Sequence, residues 1–472
     1  MPQPPSNQHG PEKSVSNQFA LLGTRRFLPL FLTQFLGAFN DQVYQKAFVA
    51  LVTYRLADKA GIPIPMLGVI ASGLFILPFA VVTPTAGQIA DRVDKAVMMR
   101  WVKLWEIVVM GMAVIGYHIQ SIWFLYFVLF LMGAQSAMFA PVKYSIIPQY
   151  LHRDELMGGN GLIQGSTFLA IIFGTILGNE LVLREDGELI DLYLVAFRLP
   201  FDGVTLISIA VVAIAVAGYL ASVFAPPAPP SDRHGPVDWL FPRAIWHLLR
   251  MVIADPAALR TIFAISWFWF LGATFLSLLP AYARLELGVD EGVLTALLAA
   301  FSVGVAIGAG ASEALSRGRV SVRVPPVGAL GLALMAVELW FATPVRPMGA
   351  EDALLNRAAF FDTPTGWRIL IDFVLLAAFA GLYVTPLNAV LQALAPADRR
   401  ASYIAASNVI DASFIVLSAV IVAVLLAIGL PTAEVLVLVT LTGLPMGIAV
   451  ARYAPETQLG RMALALWPRA SR

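Results

Sequence analysis

The sequence predicts an all-α integral membrane protein whose twelve transmembrane helices form two six-helix bundles. Three observations carry that expectation. Of the 472 residues, 59% are hydrophobic and 13% charged, whereas charged residues make up roughly a quarter of ordinary soluble domains; the mean hydropathy is +0.78. Charged or Pro/Gly-rich breaks divide the chain into twelve apolar segments, each near the roughly 20 residues a helix needs to cross the hydrocarbon core. The longest polar interruption, APPAPPSDRHGPVDWLFPRAIWHLLR from Ala225 to Arg250, splits these segments six and six.

Residues 1–26 are polar and proline-bearing and read as a cytoplasmic N-terminal tail, not as a cleaved signal peptide. The N-terminal bundle, 27–224, holds spans near 27–55, 65–90, 97–117, 121–146, 155–182 and 201–224. Residues 225–256 read as a cytoplasmic interdomain linker. The C-terminal bundle, 257–452, holds spans near 257–283, 291–315, 325–343, 367–394, 401–428 and 432–452, and residues 453–472 form a second cytoplasmic tail. Arg92, Lys95, Arg153, Arg233, Arg319, Arg399 and Arg400 all fall on one side of this arrangement, and Lys and Arg accumulate on the cytoplasmic side. Both termini are therefore expected inside. Acidic clusters, 184–191 and 349–352, fall on the other side.

Several function classes drop out. The net charge of +1 without a basic block gives no reason to expect nucleic acid. The absence of cysteine removes thiolate chemistry and disulfides. The five histidines, His9, His118, His152, His234 and His247, are scattered in loops, tails or span ends, so no metal site, cofactor or hydrolase triad is expected, and the chain reads as a non-enzyme.

Matching pieces about half a chain apart point to a duplicated bundle. Phe35-Leu36-Gly37-Ala38 matches Phe270-Leu271-Gly272-Ala273; Asp91 with Lys95 matches Glu313 with Arg317; Pro141 with Lys143 matches Pro386 with Asn388; Asn160 before Thr167-Phe168 matches Asn408 before Ser413-Phe414. Polarity is not duplicated. Asn40-Asp41-Gln42 stands opposite Thr274-Phe275-Leu276, and Lys143 opposite neutral Asn388. The seventh span offers Trp267 and Trp269 instead, as an apolar wall or as packed or lipid-facing aromatics.

Asp41 falls about 14 residues into its helix, roughly 21 Å from the inner end. An ionisable group at that depth costs at least about 2.5 kcal/mol on insertion scales and marks a functional site. Gln34, Ala38, Asp41 and Gln45 share one stripe, Asn40 sits beside it, and Lys46 lies about 140° from Asp41. Lys143, between Pro141 and Pro148, is the other charge inside a span, and Asn160 and Gln164 are one turn apart on the fifth. These groups read either as a shared polar cavity or as a structural network. Asn388, Asn408 and Asp411 are weaker candidates; Glu106, Glu313, Glu338 and Asp372 are candidates too, though most of these acids lie near helix ends, where interfacial solvation explains them.

The stretch GQIADRVDK, 87–95, with two bundles and a linker resembles the major facilitator superfamily, whose signature in this loop is a Gly, an Asp-Arg pair and a following base. That resemblance implies a gate from Gly87, Asp91, Arg92 and Lys95 with Glu313 and Arg317, in which Asp91 caps a neighbouring helix or pairs across the bundle. QFLGAFNDQ at 34–42, SAMFAPVKYSIIPQYLHRDEL at 136–156, NGLIQGSTFLAIIFGTILG at 160–178, and YVTPLNAVLQ with AASNVIDASF resemble the bacterial lysophospholipid transporter family. They are closest to its form fused to an acyl-acyl carrier protein synthetase and acyltransferase, over about residues 18–452; the sequence stops soon after the twelfth span, so no fused enzyme is expected. Relatives usually read Asn-Asp-Asn with a lysine five residues after the first Asn. Here Gln42 and Gln45 take those places and Lys46 follows, about 100° around the helix.

The resemblance implies a flippase moving lysophospholipid, chiefly lysophosphatidylethanolamine, from the outer to the inner leaflet of the bacterial inner membrane, where a cytoplasmic acyltransferase restores the second chain. A head group carrying phosphate and ammonium matches a cavity with one ammonium and one carboxylate. On this expectation Asp41 takes the amine and Lys143 the phosphate, Asn40 and Asn160 meet glycerol or phosphate oxygens, and the C-terminal half faces the tail. Other readings keep the fold and change the cargo to another amphiphile or small solute, or make the chain a transport-inactive scaffold for an acyltransferase.

Overall fold

The computed structural model describes residues 18–56, 64–182, 189–191, 196–198, 201–231, 237–316, 320, 322–344 and 354–452. The N-terminal bundle consists of α1 (Leu28–Tyr54), α2 (Ile64–Arg92), α3 (Lys95–Ile119), α4 (Ile122–Tyr150), α5 (Leu156–Val182) and α6 (Gly203–Val223). Between α5 and α6 a short antiparallel pair, β1 (Leu189–Asp191) and β2 (Ala196–Arg198), places Leu189 opposite Arg198. After the linker helix α7 (Phe241–Ile253) come α8 (Pro256–Ala281), α9 (Glu291–Ser316), α10 (Pro325–Ala342), the short α11 (Arg357–Phe361), α12 (Pro364–Leu394), α13 (Arg400–Ala427), α14 (Thr432–Leu441) and α15 (Gly443–Ala451).

Eleven of these segments are long and apolar enough to cross a membrane; α14 and α15 together make one of them, Thr432–Ala451. Helix α1 supplies the twelfth span. Its 27 residues match the others in length, while Gln34, Asn40, Asp41, Gln42, Gln45 and Lys46 lower its hydropathy. It tolerates them because it packs against α5 and α6 within the bundle, away from unbroken lipid. The break between α14 and α15 follows from Pro445, which has no N–H for the Leu441 carbonyl.

Asp94 starts α3 by accepting hydrogen bonds from the Ala96 and Val97 amides at 2.8 and 3.2 Å, and Asp255 caps α8 in the same way. In α7, Ala244, Leu248 and Val252 recur every four residues and are buried, which presses the helix onto α2, α8 and α13 and leaves Trp246 and Ile253 exposed. Helices approach closely through glycines. A Cβ on Gly133 of α4 would collide with the Phe75 carbonyl of α2, and one on Gly308 of α9 with the Ala378 carbonyl of α12.

The two halves differ in their cores. The C-terminal half has one continuous apolar cluster running from Leu248 through Phe268, Leu297 and Phe373 to Val450. The N-terminal half has two. One contains Val43, Val109 and Leu129; the other contains Leu30, Val102 and Phe139. The level that separates them is occupied by Asn40 and Asp41, Lys103 and Glu106, and Gln135.

Candidate functional site

Three helices supply that polar level. Lys103 and Glu106, one turn apart on α3, form an ion pair with Nζ to Oε2 2.6 Å, and each side chain is 1% exposed. Asn40 of α1 donates its Nδ2 to Glu106 Oε1 at 2.9 Å, and Gln135 of α4 donates to Glu106 Oε2 at 3.1 Å. The Ser136 hydroxyl reaches both Asp41 Oδ2, at 2.6 Å, and Gln135 Oε1, at 3.1 Å. The polar side chains therefore lie in contact from Lys103 to Asp41, with the single Ser136 hydroxyl hydrogen serving Asp41 at the shorter distance. Gly37 makes it sterically feasible: a Cβ there would collide with the Lys103 ammonium. The same ammonium lies 5.2 Å from the centre of the Phe139 ring.

The network opens onto a central cavity of about 300 Å³ lined by residues of both bundles. Gln34, Asp41, Gln42, Lys103, Gln135, Ser136, Lys143 and Gln164 line it from the N-terminal half, with Trp269, Asn408 and Asp411 facing them from the C-terminal half; Phe75, Phe79, Phe139, Ile171 and Ile415 add apolar surface. Among the described residues Asp41 Oδ1 has no hydrogen-bond partner. The Lys143 ammonium sits 4.7 Å over the Tyr144 ring, and the Tyr144 hydroxyl donates to Gln164 Oε1 at 3.2 Å. The cavity thus presents one carboxylate oxygen and one ammonium with bonding capacity to spare, framed by aromatic walls. A larger groove of about 420 Å³ between the start of α8, the end of α12 and α15 is almost wholly apolar and has no carboxylate in its wall.

The residues expected at the site from the sequence separate into groups. Gln34, Asp41, Lys143 and Gln164 come together in the cavity, where Gln34 is held by Thr167 Oγ1 at 2.5 Å and by the Ile163 carbonyl at 3.3 Å. Asn40 is fully buried behind the cavity wall on Glu106. Asn160 lies on the seam between bundles, where it and Gln392 of α12 exchange amide hydrogen bonds of 2.9 and 2.8 Å. Gln45 and Lys46 are half-buried and do not line the cavity; Gln42 does. Trp269, Asn408 and Asp411 line it, Asn388 lines a smaller adjoining space, and Trp267 is buried in the C-terminal core with its indole donating to Thr442 at 2.9 Å.

Lys103 was not among the expected site residues. It lies eight positions into α3, where it reads as a base flanking the membrane; the signal that distinguishes it is Glu106 at i+3, on the same helix face.

One end of the molecule is sealed along two seams. At the end of α2, the Asp91 carboxylate accepts from the Ala401 and Ser402 amides at 2.8 and 2.9 Å and from the Ser402 hydroxyl at 2.7 Å, capping α13 across the bundle boundary. Gly87, one turn earlier, leaves no room for a Cβ against Ala405. The Arg92 guanidinium returns to the Gln88 carbonyl at 2.9 Å, and Lys95 donates to Ser231 of the linker at 2.8 Å. Along the second seam, between α5 and α9, the Glu313 carboxyl lies over Gly158 and Gly161 abuts the Ala309 carbonyl; Gln18 reaches over to donate to the Gly310 carbonyl at 3.1 Å. Arg317 is outside the described residues.

Comparison with known proteins agrees with this architecture. The family model described as Major Facilitator Superfamily matches residues 30–419. The chain is similar to proteins named lysophospholipid transporter LplT. It is 27% identical to the one from Serratia proteamaculans, covering 78% of this chain and 80% of that protein, and 27% identical to the one from Escherichia fergusonii, covering 77% and 79%. Among solved structures it resembles the fucose:proton symporter FucP of E. coli, with a TM-score of 0.66 and 15% identity over 91% of this chain and 98% of that one. It also resembles a bacterial homologue of the iron transporter ferroportin in an outward-facing state, with a TM-score of 0.59 and 14% identity over 89% and 99%. With two six-helix bundles around a central cavity and a matching family model over most of its length, the chain belongs to the Major Facilitator Superfamily.

Proposed function

We propose that this protein is a lysophospholipid flippase of the bacterial inner membrane, which moves lysophosphatidylethanolamine from the outer to the inner leaflet, where a cytoplasmic acyltransferase re-acylates it. The observation that carries the reading is the cavity in which Asp41 Oδ1 and the Lys143 ammonium both retain bonding capacity. A zwitterionic head group brings an ammonium for the carboxylate and a phosphate for the lysine. Exchanging water for these fixed partners keeps both charges compensated at mid-membrane depth. Phe75, Phe79, Ile171 and Trp269 offer apolar surface to the single tail. The names of the relatives support lysophospholipid as the cargo class.

On this reading the sealed end is cytoplasmic, since Arg26, Arg92, Lys95 and Arg400 lie at that end, and the cavity loads from the outer face. Opening inward then requires release of Asp91 from α13 and separation of α5 from α9. The test is reconstitution into liposomes with labelled lysophosphatidylethanolamine in one leaflet. The protein is expected to accelerate its movement over empty liposomes, and Asp41→Ala with Lys143→Ala together to abolish the acceleration. No acceleration by the wild type would overturn the function. An unchanged rate in the double variant would overturn the assignment of these two residues.

A further inference from the structure

The linker helix α7 divides into three faces. Ala244, Leu248 and Val252 fall together and are buried against α2, α8 and α13. Pro242, Trp246 and Ile253 fall within about 40° of one another on a second face, at about 100° per residue. Arg243, His247 and Arg250 occupy the third, and Phe241–Ile253 contains no acid. The second face is apolar yet uncovered: Trp246 is 56% and Ile253 59% exposed, and Trp239 and Leu240, which lead into the helix, are more exposed still. A helix between a protein core and water needs one apolar face and one polar face. An exposed apolar face set between the packed one and the charged one calls for a third medium.

The position of α7 supplies that medium. The linker is tied to the end of α2, where the Asp238 amide donates to Gln88 Oε1 at 3.0 Å, the Thr85 hydroxyl donates to the Asp238 carbonyl at 3.3 Å, and the Ser231 amide donates to the Asp91 carbonyl at 2.8 Å. At its other end α7 leads through Ala254 and Asp255 directly into α8. Both anchors are ends of membrane spans, so the helix lies where hydrocarbon gives way to head groups. Its charges suit an anionic surface. The Arg250 guanidinium lies 4.8 Å over the Trp246 ring, at the border of the apolar and charged faces. Arg243 meets Asp238 at 3.3 Å, but its side chain is 78% exposed, and so open a pair competes weakly with a phosphate. Arginine stems lie along apolar surface while their heads reach polar groups above it.

We propose that α7 is a membrane-surface helix whose Trp239, Leu240, Trp246 and Ile253 enter the leaflet at the sealed end, while Arg243 and Arg250 bind the phosphates of anionic phospholipids there and so steady the seam beside them. On the cytoplasmic side, where the proposed function puts the sealed end, the leaflet carries such lipids. The route to the seam is direct. The buried face of α7 touches α2 of one bundle and α8 and α13 of the other, and the contact of α2 with α13 is the one that Asp91 caps. Parting that seam therefore strips α7 of packing on one side or draws it out of the leaflet. The docking surface rests on the membrane placement of the chain; its consequence for transport rests on the transport reading above.

The chain has no cysteine, so a spin label on one introduced cysteine reports one position. In full-length protein in nanodiscs of phosphatidylcholine and phosphatidylglycerol, a label at Ile253→Cys is expected to meet oxygen and to be shielded from a water-soluble nickel chelate, and a label at His247→Cys to show the reverse. Equal access of nickel to both would overturn membrane docking. Shielding of position 253 from both reagents would mean that a second copy of the chain covers the face, and would overturn it as well. Arg243→Gln with Arg250→Gln tests the choice of lipid, since neither side chain is buried. The phosphatidylglycerol content at half-maximal immersion of position 253 is expected to rise about fivefold for each arginine removed; an unchanged requirement would overturn the anionic-lipid assignment. Label pairs on the ends of α2 and α13 are expected to show a larger closed fraction with phosphatidylglycerol than without it in wild type, and no such difference in the double arginine variant. A distribution that ignores lipid in wild type would overturn control of the seam. Absence of lysophospholipid movement by wild type in every lipid mixture would overturn the transport reading, and the accessibility measurements would still decide the docking surface.

Discussion

At the scale of single residues, the polar level of the N-terminal half is held together by a charge pair that has no alternative solvent. Glu106 accepts from Lys103, Asn40 and Gln135, so removing its charge leaves a buried ammonium and two amide donors short of acceptors. Breaking one partner of a buried pair costs about 3 to 5 kcal/mol, whereas removing both is far milder. Glu106→Gln is therefore expected to lower the thermal unfolding temperature in detergent sharply, and Lys103→Met with Glu106→Gln to recover much of the loss; additive losses in this double-mutant cycle would show that the pair is not coupled. Gly37→Ala gives the same pair a steric test. A Cβ at 37 has to displace the Lys103 ammonium, and overpacking of this kind typically costs about 1 to 3 kcal/mol. Outside the spans, Asp202 caps α6: the Thr205 side chain and amide donate to it and hold its carboxyl below the usual carboxylate range. A lowered folded-state value means that this contribution is present at neutral pH and fades as pH falls through the acidic carboxylate range. The difference in unfolding temperature between wild type and Asp202→Asn is expected to shrink on acidification over that window; a difference constant with pH would contradict it.

At the scale of elements, the duplication read from matched sequence pieces acquires a mechanical meaning. Asp91 ends α2 and caps α13, while Glu313 ends α9 and lies over Gly158 at the start of α5. Since α9 corresponds to α2 and α13 to α5, the two seams are versions of one contact. Asp91→Ala removes three hydrogen bonds to the first turn of α13, and loss of an N-cap costs about 0.5 to 2 kcal/mol, on the order of a fivefold shift in a two-state population. Spin labels on the ends of α2 and α13 are expected to report a longer distance in a larger fraction of Asp91→Ala molecules than of wild type; an unchanged distribution would leave Asp91 as a local cap with no part in gating. The Asp-Arg signature made this element readable from sequence. Helix α7 was less legible, because Phe241–Ile253 lies within a proline-bearing polar stretch, although Ala244, Leu248 and Val252 carry the four-residue spacing of a packed face. Twelve spans were visible because apolar length is a strong signal; which face of α1 meets the cavity was less so, since Gln42 and Gln45 differ only by rotation and packing against α5 sets that rotation.

At the scale of the whole molecule, the asymmetry between halves follows from where charge is placed. The C-terminal half has a single apolar core, and the core of the N-terminal half is divided by the charges that the proposed function assigns to a head group. The sequence showed this asymmetry through Asn40-Asp41-Gln42 against Thr274-Phe275-Leu276, yet it did not show that Asn160 belongs to the seam, because an amide that lines a cavity and one that bridges two bundles have the same local pattern; only Gln392, 232 positions away, distinguishes them. If the bundles rock about the cavity, the sealed end has to part in every cycle. The chain has no cysteine, so a pair introduced at Gly87 and Ala405 is free of competing thiols. A Cβ on Gly87 would press on the Ala405 Cβ, and a disulfide needs about 3.5 to 4.5 Å between Cβ atoms, so a small outward relaxation of α2 permits the bond. Oxidised Gly87→Cys/Ala405→Cys protein is expected to bind lysophospholipid from the open side and to stop turning over, with transport restored by reductant. Full transport by demonstrably cross-linked protein would mean that cargo leaves without separation of α2 from α13, and would restrict any opening to the α5–α9 seam.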